Sequence, residues 1–145
     1  MIPRPIAKRL DGFRGAFILI LSGPWLAVGL SYILISTPTR SKAFSYLPEF
    51  LNENELGWVW VIAGVVMLIC AYYGRQDPRF TSTGFRVAVV PPALWSCLFF
   101  MAWLIGALPT AIVSVVMYGT FACLIVFCAG WPNPHQRSRD APGGY

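Results

Sequence analysis

Long apolar runs, separated by short polar ones, dominate the chain. The first run, about residues 15–36, holds no charged residue, and neither does a second at about 56–73. From Val87 to Gln136 there is no Asp, Glu, Lys or Arg at all. Crossing about 30 Å of hydrocarbon takes about 20 helical residues at about 1.5 Å each. The first two runs therefore read as one crossing each, and the third is long enough for two. Its natural divider is Gly106-Ala107-Leu108-Pro109, because Gly ends helices and Pro suits the first turn of the next. This predicts spans at 91–108, with Pro91-Pro92 in the opening turn, and at 109–130. The expected fold is all-α: an integral membrane four-helix bundle that forms a single transmembrane domain over 1–145.

The segments between the runs refine this picture. From residue 6 onward, Ile6, Leu10, Phe13 and Phe17 recur at helical spacing among Lys8, Arg9 and Arg14, which predicts an amphipathic lead-in over 6–14 at the interface. The first run goes on too long for a signal-peptide core and is read as a retained span. Pro24 within it removes the N–H that the Ile20 carbonyl needs, so a kink is expected there. Residues 37–55 form the longest polar stretch and are read as an outer loop. A short helix opening at Pro48 is expected, with Phe44, Tyr46 and Phe50 at headgroup level. Trp58 with Trp60, and Tyr72 with Tyr73, look like the two aromatic belts of span 2. Asp77-Pro78 reads as a turn in a 74–86 loop, and 131–145, rich in Pro and Gly, as a flexible tail.

Composition agrees with lipid as solvent. The 145 residues are 57% hydrophobic and only 12% charged, against about 25% charged in a soluble domain. The formal net charge of +5 would suggest nucleic acid in a soluble protein. Here the basic residues flank apolar runs, so they point to lipid phosphates and orientation, with no nucleic-acid partner. Nine of the 11 Lys and Arg fall in the N-terminal segment, the 74–86 loop and the tail; the other two are Arg40 and Lys42. The positive-inside rule then puts both termini and the 74–86 loop in the cytoplasm, and the expected location is the inner (cytoplasmic) membrane, as a multi-pass protein.

Reactive chemistry is sparse. No ionisable acid or base lies within any expected span, whereas transporters and proton relays need such groups at depth. His135 is the one histidine, too few for a bundle haem or a metal centre. Cys70, Cys97, Cys123 and Cys128 all lie in apolar runs without a CxxC pair, and read as small packing residues. Ser114, Tyr118 and Thr120 are expected to bond across helices. No catalytic, cofactor-binding or metal site is expected, and no enzyme. The candidate functional positions are instead structural. Gly23, Ala27 and Ser31 form a small-residue strip beside the Pro24 kink, and Ala102, Gly106, Pro109 and Gly119 do similar work in spans 3 and 4. Arg9, Arg14, Arg75, Arg79 and Arg86 form a basic cluster on the cytoplasmic side, suited to topology control or to anionic lipid headgroups.

The stretch GRQDPRFTSTGFRVAVVPPALWS, followed by an uncharged hairpin and GWPNP, resembles small four-span membrane proteins encoded by phages of actinobacteria, some of them regarded as holins. The resemblance covers roughly residues 57–134. It rests on structural motifs: an Arg-Pro turn, a Pro-Pro helix start and a Trp-Pro exit. It implies a protein that oligomerises in the inner membrane and permeabilises it during host lysis. The resemblance brings no catalytic residue with it. The second reading is a non-enzymatic accessory or interaction subunit of a membrane complex, with a homo-oligomer or another membrane protein as partner. A small channel or transporter ranks below both.

Overall fold

The computed structural model describes residues 11–38, 41, 44–47, 52–74 and 76–131. Four helices account for most of them: α1 (Gly12–Leu34), α2 (Glu53–Tyr73), α3 (Pro78–Leu104) and α4 (Ala111–Ala129). Each is long and apolar enough to cross a membrane. Among the described residues there is no strand. The chain is thus an all-helical bundle with the composition of a multi-pass membrane protein.

The helix starts follow from local chemistry. Asn52 caps α2, its Oδ1 accepting from the N–H groups of Asn54 at 3.0 Å and Glu55 at 3.1 Å. Asp77 caps α3, its Oδ1 accepting from Arg79 N at 2.8 Å, and Pro78 fills the first helical position. A carboxylate cap followed by Pro is a helix opening, because both supply what the orphan N–H groups of a first turn require. The stretch 74–86 is therefore mostly helix, and Asp77-Pro78 starts α3 rather than turning a loop. Pro91 and Pro92 accordingly lie inside α3, not in its opening turn. At the other end, Gly106 adopts φ +73 just past α3, the left-handed geometry that stops a helix and favours glycine. The expected divider is thus where the chain turns, with Pro109 exposed two residues before α4 begins.

α1 and α2 form the most intimate pair. A Cβ on Gly29 would meet Gly57 O and Val61 N at 2.8 Å, and one on Gly64 would meet Leu26 Cγ at 2.8 Å. Gly29, Gly57 and Gly64 thus let the two backbones touch. Gly23 and Ala27 of the Gly23–Ala27–Ser31 strip make no such close approach among the described residues. Gly23 and Ala27 are exposed, and nothing lies within 4 Å of where a Gly23 Cβ would be. Pro24 lies inside α1 on that same outward side. Ser31 is half-buried, and its hydroxyl donates to the Val28 carbonyl of its own helix at 2.8 Å.

α3 carries a continuous inward stripe: Thr81, Gly84, Phe85, Ala88, Pro91, Pro92, Trp95, Phe99 and Ala102. This spacing of three and four is one face of a helix. α4 is the outlier. Only 11% of its most apolar window is buried, against 33–44% for the other three helices. It leans on α3, where Ser96 donates to the Val115 carbonyl at 3.1 Å and a Cβ on Gly119 would lie 3.3 Å from Ser96 Oγ. One cross-helix bond between these helices thus comes from Ser96, a residue outside the expected set of Ser114, Tyr118 and Thr120.

Candidate functional site

Two features concentrate side-chain chemistry: an aromatic centre and a basic end. The centre is built by all four helices. Trp25 of α1 meets Trp60 of α2 edge-on at 5.1 Å, and Trp60 meets Trp95 of α3 edge-on at 5.2 Å. Tyr118 of α4 stacks on Phe99 at 5.8 Å and lies 6.1 Å from Trp60. Trp60 is therefore core rather than interfacial belt, at 2% exposed, while Trp58 faces outward. On a helix, residues two apart point to opposite sides, so only one of this pair can face lipid.

The polar handles of these rings are accounted for one by one. The Trp95 indole donates to Tyr32 Oη at 2.8 Å. The Trp25 indole donates to the Ala88 carbonyl at 3.2 Å. That carbonyl would ordinarily accept from the residue four positions on, which is Pro92 and has no N–H. Trp25 thus fills the gap that Pro92 opens, and a proline in mid-helix becomes a cross-helix hydrogen bond. Trp60 Nε1 has no partner among the described residues. Phe44, from the segment between α1 and α2, plugs the same centre. It is 6% exposed and 5.5 Å from Phe99. Tyr46 follows it in and donates its hydroxyl to the Leu98 carbonyl at 2.5 Å. Burial pushes the Tyr46 hydroxyl above its usual pKa. Phe44 and Tyr46, expected at headgroup level, pack against α3 and lock the segment onto it. Pro48 and Phe50 lie outside the described residues.

The basic end is where α1 and α3 begin. Asp11 Oδ2 accepts from Thr81 Oγ1 at 3.0 Å, and Phe17 stacks on Phe85 at 5.7 Å. The Arg14 guanidinium lies over the Phe85 ring at 5.3 Å. Arg79 and Arg86 are exposed, seven residues apart along α3, on one side of that helix. The structure therefore brings Arg14 to the segment that carries Arg79 and Arg86. Arg9 and Arg75 lie outside the described residues, as do most of the lead-in 6–14 and most of the tail 131–145.

Besides Ser31, two of the serine hydroxyls within the spans donate to backbone carbonyls. Ser22 donates to Leu19 O at 2.6 Å and Ser96 to Val115 O. Among the described residues no group of three or more His, Cys, Asp or Glu could hold a metal ion. The four cysteines are free. No protein-family profile, no curated protein and no solved structure matches the chain.

The sequence reading missed Gly29, Gly57 and Gly64, which make the closest helix contact. Gly57 and Gly64 are seven apart, a spacing that repeats on one helix face and could have flagged them. It also missed Trp25, Trp60 and Trp95 as a centre. The signal there was the inward stripe on α3, which extends N-terminal of Pro91.

Proposed function

We propose that this chain is a non-catalytic, multi-pass protein of the inner (cytoplasmic) membrane that works by associating with another membrane protein or with further copies of itself. The observation that carries this reading is the contrast between centre and surface. Among the described residues the centre is filled with rings, and no charged residue is fully buried there, while one side of α4 leaves large apolar residues exposed outside the bundle. A helix that packs one side on α3 and leaves the other side apolar and exposed is well placed to contact a partner in the plane of the membrane. Charge distribution supports both termini on the cytoplasmic side, since the Arg-bearing ends flank the starts of α1 and α3.

The second reading is a holin-like protein that forms lesions. Its specific support is the outward Gly23–Ala27 strip, with open space beside Gly23, because small residues permit close self-association of helices.

Inducible expression in a bacterial host, with membrane potential followed over time and complexes resolved after mild solubilisation, tests both readings. Intact potential together with a discrete complex is expected. Abrupt depolarisation at a set time would favour the holin reading, and a monomer with no complex at any expression level would sink the association reading.

A further inference from the structure

We propose that Arg14 and Phe85 form a binding site for the phosphate of an anionic phospholipid at the boundary of the hydrocarbon core. Three observations converge on it. The first is depth. The uncharged part of α1 after Arg14 is 15–34, about 30 Å long, which matches the hydrocarbon thickness. The uncharged part of α3 after Arg86 is 87–104, about 27 Å long. Arg14 and Arg86 therefore lie at one level, where lipid phosphates begin.

The second is an unmet charge. The Arg14 Nε is buried and has no hydrogen-bond partner, and Arg14 makes no ion pair with any described residue. The nearest acid in sequence, Asp11, turns its Oδ2 to Thr81. A guanidinium is always charged and has five donors in a planar fork. A part-buried one without a carboxylate calls for an external anion, and phosphate oxygens match its geometry.

The third is that the side chain is held in place. The guanidinium lies on the Phe85 face at 5.3 Å, and Phe85 is itself buried and stacked on Phe17. This seat fixes one face of the fork, and because Arg14 is only partly buried its terminal amino groups are left for a ligand, at little cost in side-chain entropy. Arg79, exposed further out along α3, lacks such a seat.

The test uses the full chain in detergent, exchanged against an equal mixture of phosphatidylglycerol and phosphatidylcholine, with retained lipids read by native mass spectrometry. The wild type is expected to prefer phosphatidylglycerol, and Arg14→Gln to lose that preference by about fivefold. Arg79→Gln should leave it nearly intact. Excess inorganic phosphate should not displace the lipid, because the acyl chains hold it in the boundary.

No preference in the wild type would overturn the site. So would an unchanged preference in Arg14→Gln, or an equal loss in Arg79→Gln. Displacement by inorganic phosphate would assign the cradle to a soluble anion and overturn the lipid reading. If Arg14→Gln does not insert, Phe85→Leu decides, since it keeps every charge and removes the seat. A loss of about twofold is then expected, and an undiminished preference would refute the proposal.

Discussion

Replacing Gly29 by alanine puts a methyl group 2.7 Å from Val61 Cγ2 and 2.8 Å from both Gly57 O and Val61 N. Two of these three atoms belong to backbone, so no rotamer change relieves them. Ordinary contact begins at 3.4 Å, so α1 and α2 must separate locally by at least about 0.6 Å, a displacement in the range where overpacking costs about 1–3 kcal/mol. Alanine also favours the helix over glycine by about 1 kcal/mol, which partly hides the clash. Gly23→Ala is the proper comparison, because it lies in the same helix with nothing within 4 Å of the added carbon. The propensity term is shared, so the difference between the two variants isolates the steric term.

Gly29→Ala is therefore expected to be less stable than Gly23→Ala by about 1–3 kcal/mol. Unfolding in mixed micelles of increasing sodium dodecyl sulfate, followed by tryptophan fluorescence, measures this directly, since Trp25 and Trp60 sit against the pair. If the two variants unfold together within about 0.5 kcal/mol, the α1–α2 contact is not glycine-dependent and the reasoning fails.

Two other predictions rest on the same core. Trp25→Phe removes the donor to the Ala88 carbonyl and should cost about 1–3 kcal/mol. The same change in a Pro92→Ala background should cost clearly less, because residue 92 then supplies the helical N–H, and equal costs in the two backgrounds of a double-mutant cycle would exclude this account. The raised Tyr46 pKa predicts a pH effect at the segment between α1 and α2. The neutral hydroxyl is the donor, and its folded pKa lies above the ordinary 10.0, so this stability is complete below pH 10.0 and is lost as pH rises through the raised value. Protease cleavage between α1 and α2 should speed up above that pH in the wild type, whereas Tyr46→Phe should be cleaved faster already at neutral pH and show no such step.

Helix number was legible because charge is excluded from the spans so completely that segment lengths alone divide the chain. The turn at Gly106 was legible because glycine is the residue favoured where a helix stops in the left-handed region, as it does here at φ +73. Helix boundaries were harder to read where proline has two meanings. Pro78 opens α3 and Pro92 interrupts its hydrogen-bond ladder, and distinguishing them requires knowing that Trp25 stands opposite Ala88. That is tertiary information, separated by 63 residues in sequence. The basic positions were visible as charges. Only the fold shows that Arg14 has an aromatic seat while Arg79 and Arg86 are exposed on α3. The small-residue strip on α1 was chosen by a spacing of four. The contact that forms instead uses Gly29, where the facing helix also offers glycines.

The filled centre bears on both functional readings. A conduction path within one copy would need water or polar side chains along the bundle axis, and Trp25, Trp60 and Trp95 stand there, two of them with their N–H groups already used. Any lesion must therefore run between copies, lined by faces that now meet lipid. On α4 those faces present Val113, Val116, Met117, Leu124 and Phe127, each more than half exposed. Turning them from lipid to water would cost about 5 kcal/mol per copy, at about 1 kcal/mol for each partly exposed side chain. Thr120 is the polar exposed residue among them and recovers little of that. Association that keeps α4 in lipid or against another helix avoids the cost altogether. For this reason membrane-plane assembly ranks ahead of lesion formation, and the lipid-facing surface of α4 is where a partner is to be sought.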